Sequence, residues 1–195
     1  MQTPSYEDTI KFIENNLINK LFEYFKTGHI EIKPSEYIDL FAAVQTTADI
    51  DVTHSGKLFE YYQQKIENYI VECKNKLIKE GKTNIIDEFL LHTKNIYFFI
   101  FSMYRVFCYL DRFYTKAKKK PSLPSTAMNL YKSIFYEEFK DNIQNEINNL
   151  KNEEKEGNKE ASSKIQSIMN IMEDTKLSYP KLIRENNKLK WIEDP

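Results

Sequence analysis

The chain has 195 residues, enough to bury a real core in one or two domains. Hydrophobic residues make up 41%, while Gly and Pro number only 4 and 6, so breakers are scarce and long helices are expected. A net charge of −1 leaves no global basic field to collect phosphates, which argues against nucleic acid as a partner.

The first predicted helix runs from Tyr6 to Lys26. Ser5 and Asp8 make a short capping signature at its start. Ile10, Phe12, Ile13, Leu17, Leu21, Phe22 and Phe25 recur at helical spacing, and Gly28 stops it. A second helix follows Pro34, with Ser35 as the expected N-cap, and ends near Thr47. Residues 48–55 read as a polar connection. After Gly56 a third helix carries Leu58, Phe59, Tyr62, Ile66, Tyr69, Ile70, Cys73, Leu77 and Ile78, with Gly81 at its C′ position.

The fourth helix, Asp87 to Lys120, is the most informative stretch. Phe89, Leu90, Ile96, Phe99, Ile100, Met103, Tyr104, Phe107, Leu110, Phe113 and Tyr114 cover most of its sides. A helix apolar nearly all round has to be enclosed by other helices. It is expected to be a central rod of about 30 residues, ~45 Å long, with Phe99, Met103 and Phe107 buried. The basic run Lys116 and Lys118 to Lys120 at its end complements the helix dipole, with a phosphate or membrane contact as the other reading.

Pro121 and Pro124 break the rod, and Ser125 or Thr126 caps a fifth helix reaching toward Leu150. Residues 152–159 read as a solvated loop. A sixth helix spans Ala161 to Asp174, followed by a partly extended tail. The sum is an all-α fold with at least five helices and no sheet. No repeat of fixed length marks a regular solenoid.

Motifs for chemistry are missing. There is no Gly-rich phosphate loop, HExxH, CxxC or GxSxG. His29, His54 and His92 are scattered, and Cys73 and Cys108 lack metal-ligand spacing, so they read as free thiols. The acidic pairs are sequence neighbours that diverge on a helix. No catalytic residue, metal or cofactor is expected. The N-terminus has no apolar core of a signal peptide, and the uncharged run 95–104 is about half of what a bilayer span needs. An intracellular protein that does not enter a membrane is the expectation.

What remains is an aromatic excess of 13 Tyr and 13 Phe. On the second helix Tyr37, Phe41 and Val44/Gln45 line one face, with Leu40 beside them. That face is either an interaction surface or the core side; periodicity does not separate the two.

The ordered set of motifs is similar to the cullin N-terminal domain. Residues 36–41 (EYIDLF) resemble its second helix. Leu58-Phe59, Gly81 and residues 85–88 (IIDE) follow in cullin order. Residues 108–114 (CYLDRFY) look like the cullin Tyr-Leu-Asn/Asp-Arg segment, residues 128–141 like its fifth helix, and residues 191–195 like the lead-in to a further repeat. The resemblance implies an elongated multi-helix bundle of the cullin-repeat type, with a first repeat in residues 1–150 and residues 151–195 leading toward a second. It implies a scaffold of a multisubunit ubiquitin ligase, cytoplasmic and nuclear. A BTB/POZ-type adaptor, alone or with an F-box protein or similar receptor, would bind here, though one branch of the family uses a large β-propeller adaptor instead, and the RING protein would bind a distal part outside this chain. The family's adaptor-facing positions fall on Tyr37, Phe41, Gln45, Tyr114 and Ile86, with Leu40 and Val44 beside them. Gln45 stands where an aromatic is usual. From this, Tyr37, Phe41 and Tyr114 are expected to be exposed, with Ile86 near them. The alternative is a helical tethering module unrelated to ubiquitin.

Overall fold

The computed structural model describes residues 5–29, 32–80, 85–155, 158–174, 180–185 and 188–193. Its helices are α1 (Tyr6–Ile13), α2 (Asn19–Thr27), α3 (Pro34–Ala48), α4 (Val52–Glu80), α5 (Ile85–Phe107), α6 (Leu123–Leu130), α7 (Glu137–Lys155) and α8 (Lys159–Asp174). Among the described residues, three π-helical segments, Glu14–Ile18, Asp111–Thr115 and Tyr131–Tyr136, interrupt or extend them. The fold class is all-α, as the composition implied.

Several boundaries follow from caps. The Ser5 hydroxyl accepts the Asp8 N–H at 3.1 Å and opens α1. Gly28 closes α2 with φ 72°, the left-handed conformation that a Cβ disfavours. The N-cap of α3 is Lys33 rather than Ser35. Pro34 takes the first helical position, where its missing N–H costs nothing, and the Glu36 carboxylate accepts the Lys33 N–H at 2.9 Å. The third predicted helix also begins earlier, at Val52, because Asp51 accepts the His54 N–H at 2.8 Å and caps it. Gly56 therefore sits inside α4, where a Cβ would meet the Tyr114 hydroxyl at 3.2 Å. The cap of α6 is Ser122, accepting the Ser125 N–H, not Ser125 or Thr126. Helix α7 reaches Lys155, so residues 152–155 are helical and not loop. Asn158 accepts the Glu160 and Ala161 N–H groups and starts α8. Gly81 lies outside the described residues.

The central rod is the largest correction. Its α-helix spans 23 residues and ends at Phe107, followed by a turn at Cys108. Helical backbone resumes and widens into the π segment Asp111–Thr115. The physical reason is the use made of Asp111: its carboxylate accepts the Leu123 N–H at 2.8 Å, satisfying a free donor in the first turn of α6. A regular α-helix trades no such side-chain reach, and π turns commonly mark positions where geometry serves something other than the helix itself. Phe99, Met103 and Phe107 are buried, as expected.

The second correction is a small sheet. Strands β1 (Pro180–Glu185) and β2 (Lys188–Glu193) pair antiparallel, Leu182 opposite Trp191. The sequence predicts a partly extended tail and no sheet, whereas these two segments pair.

The chain divides into two compact units: residues 1–65 with 98–126, and residues 66–97 with 127–195. In the first, α1 meets α3 through a buried Thr9–Thr47 hydroxyl pair at 2.7 Å, and Phe22 stacks on Phe99 at 6.0 Å. The Tyr62 hydroxyl donates to the Leu123 carbonyl. In the second, Phe89, Tyr131, Phe135 and Phe139 form one buried aromatic cluster, with the α7–α8 pair packing through Ile143, Ile147, Ala161 and Ile168.

Candidate functional site

Helix α3 settles which of its sides is core. Tyr37, Leu40, Val44, Thr47 and Ala48 are buried, a spacing of three, four, three and one that traces one helical stripe. Tyr37 retains only 8% of its surface. Its hydroxyl donates to Ser102 Oγ at 3.2 Å, and the Arg105 guanidinium lies 3.7 Å above its ring. The expectation of an exposed Tyr37 is therefore corrected, and Leu40 and Val44 are wholly inside. Ile86 is also buried and belongs to the second unit.

Phe41, Gln45 and Tyr114 are half-buried, so the expected exposure of Phe41 and Tyr114 holds only in part. The Tyr114 ring packs on Phe59 at 5.7 Å, and the Lys120 ammonium covers both rings, 4.6 Å from Phe59 and 5.7 Å from Tyr114. Lys120 reaches them because the segment ends in a left-handed Lys119, φ 52°, with the Lys120 N–H returned to the Thr115 carbonyl at 2.9 Å.

The surface that does stand open is adjacent to the predicted one. Ile38, one helical turn before Phe41, is 67% exposed. The Phe41 ring meets the Tyr109 ring edge-on at 6.3 Å, and Tyr109 meets Phe113 at 4.5 Å. Phe113 is 57% exposed. Tyr109 is pinned by donating its hydroxyl to the Asp49 carboxylate at the end of α3. That bond holds the phenol proton and raises its pKa above the ordinary value. Ile38, Phe41, Tyr109 and Phe113 thus form one aromatic ridge across α3 and the end of the α5 segment, with the exposed Arg105 and Arg112 beside it. Single exposed apolar residues are ordinary; here exposed Ile38 and Phe113 stand beside the half-buried rings of Phe41 and Tyr109. The sequence did carry a signal for it: Tyr109 and Phe113 are four apart, as neighbours on one helix side are.

Nothing in this arrangement supplies a nucleophile with a base. Among the described residues there is no group of three or more His, Cys, Asp or Glu side chains placed to hold a metal ion, and no helix long and apolar enough to cross a membrane. Both cysteines are free, and burial pushes the Cys73 thiol up to about 12, away from reactivity.

A family model described as the cullin alpha solenoid domain matches residues 12–185. A curated relative, Cullin-1 of Oryza sativa subsp. japonica, is 22% identical over 148 residues, which cover 72% of this chain and 19% of the relative. The chain thus spans about a fifth of that relative's length. No solved structure matches.

Proposed function

This chain belongs to the cullin family, and from that premise we propose that it is the adaptor-binding part of a non-catalytic scaffold in a multisubunit ubiquitin ligase, acting in the cytoplasm and nucleus. The observation that carries the proposal is the open ridge Ile38–Phe41–Tyr109–Phe113. A scaffold needs a stiff body and a defined partner face, and here both are aromatic. The face uses rigid rings whose burial on binding loses little side-chain entropy. The partner is an adaptor of BTB/POZ fold. The RING protein binds a distal part of the full scaffold, and residues 151–195 lead toward a second repeat.

Phe41, Gln45 and Tyr114 remain adaptor-facing in this reading, at the edges of the ridge. Tyr37, Leu40 and Val44 act from beneath it, by fixing α3. The test is a calorimetric titration of the chain with recombinant BTB/POZ-fold adaptors, beside a thermal melt. Phe41→Ala with Phe113→Ala is expected to cost ~2–4 kcal/mol of binding, a roughly 30- to 1,000-fold loss of affinity, with the melting temperature nearly unchanged. A double variant that binds as tightly as wild type rejects the ridge as the site.

A further inference from the structure

Resting on the adaptor-face reading, we infer that the partner carries an acidic segment beside its apolar anchor, received by the basic spur that continues from Phe113. Arg112, Lys116, Lys118 and Lys119 are all exposed, and among the described residues none of them forms an ion pair. Asp111, the acid within the same segment, accepts the Leu123 N–H and the Thr115 hydroxyl. Asp49 is occupied by Tyr109. Lys120 is the exception among the cations, folded over Phe59 and Tyr114.

A helix end favours cations in its last turn through the dipole, which accounts for some of these charges. Arg112, in the last turn of the π segment, also borders exposed Phe113. The dipole does not call for a lysine at position 119, whose left-handed backbone favours Gly. The cations flank the ridge: Lys116 follows Phe113 by three residues and Arg112 by four, the spacing of side-chain neighbours on a helix.

The occupant is a protein and not a polyanion. Exposed Asp39 lies on α3, one residue from Ile38, and Asp49 closes the far end of the same helix. A nucleic-acid backbone or an anionic lipid surface laid on the aromatic ridge meets these carboxylates. A short acidic segment reaches the spur alone.

The experiment compares wild type with Arg112→Gln/Lys116→Gln/Lys118→Gln, and with the matching Glu variant, in association kinetics with a BTB/POZ-fold adaptor at low and high salt. Lys119 and Lys120 are left in place because one carries the turn and the other the ring contact. The expected result is an association rate about tenfold or more lower at low salt, converging with wild type at high salt, with dissociation and melting temperature little changed. The Gln variant guards against a Glu variant weakened by like charge at a helix end. If the adaptor binds and both variants associate as wild type does, the spur inference is overturned and the adaptor reading stands. If wild type binds no such adaptor, both fail. Salt-sensitive capture of single-stranded RNA or phosphatidylserine vesicles by wild type, lost in the Gln variant, without a charge effect on the adaptor, also overturns it.

Discussion

Two aromatic clusters in this chain have similar composition and opposite situations. In the second unit, Phe89 stacks on Phe135 at 5.4 Å, Phe135 meets Phe139 at 5.2 Å, and Tyr131 is tied to Thr93 by a 3.0 Å hydroxyl bond. All four rings are buried. In the first unit, Tyr109 meets Phe41 at 6.3 Å and Phe113 at 4.5 Å, yet this row is half-buried to exposed. Ring-on-ring contact therefore serves cohesion in one place and is left open to solvent in the other. Only the closed cluster gains the full benefit of removing aromatic surface from water. The open one keeps that gain in reserve for a partner.

The largest expected effect breaks the closed cluster. Phe135→Ala should cost about 3–5 kcal/mol of stability in denaturant unfolding, because a central ring leaves a cavity against the rings of Phe89, His92, Tyr131 and Phe139. A loss under ~1 kcal/mol would mean that the cluster is not a core. Next comes Tyr37→Ala, at about 3 kcal/mol, since it removes a buried ring, its bond to Ser102 and the platform under Arg105. This separates the two sides of α3: Tyr37→Ala should lower the melting temperature, and Phe41→Ala with Phe113→Ala should not. Smaller again is Asp111→Ala, at about 1 kcal/mol, from the stranded Leu123 N–H. Asp111→Asn retains an acceptor and should recover part of it in a thermal melt.

The smallest effect is a pH dependence. The Tyr109 proton is held by the Asp49 carboxylate, so its folded pKa lies above the ordinary 10.0. Above that pH the folded state binds more protons than the unfolded chain, and stability falls as pH rises through the window. Burial pushes Tyr61, Tyr62 and Tyr69 the same way. Tyr109→Phe should remove its share and shift the midpoint of alkaline unfolding slightly upward. An unchanged midpoint would show that the Asp49 bond does not persist in solution.

The helical body was legible because apolar period and breakers agree in most of the chain. Gly28 ends a helix where expected, and Phe99, Met103 and Phe107 are inside. The interruption at Cys108 was not legible, since nothing local in residues 108–115 opposes an α-helix. It depends on Asp111 meeting Leu123, 12 residues on. The strand pair failed for a similar reason: pairing of residues 180–185 with 188–193 is a property of two segments, while each alone reads as polar and aperiodic. The site was half legible. Spacing put Tyr37, Phe41 and Gln45 on one side, but a helix with apolar residues on more than one stripe does not announce which stripe is covered. The answer came from Ser102 and Arg105, more than 60 residues away in sequence, which claim Tyr37. Their claim leaves Ile38 and Phe41 for the surface.

The most direct test of an open face against a closed cluster is hydroxyl-radical footprinting of the chain, alone and saturated with a BTB/POZ-fold adaptor. Phe41, Tyr109 and Phe113 are expected to react in the free chain and become protected in the complex, while Phe89, Tyr131 and Phe135 react little in either. Unchanged labelling of Phe41 and Phe113 at saturating adaptor would contradict it.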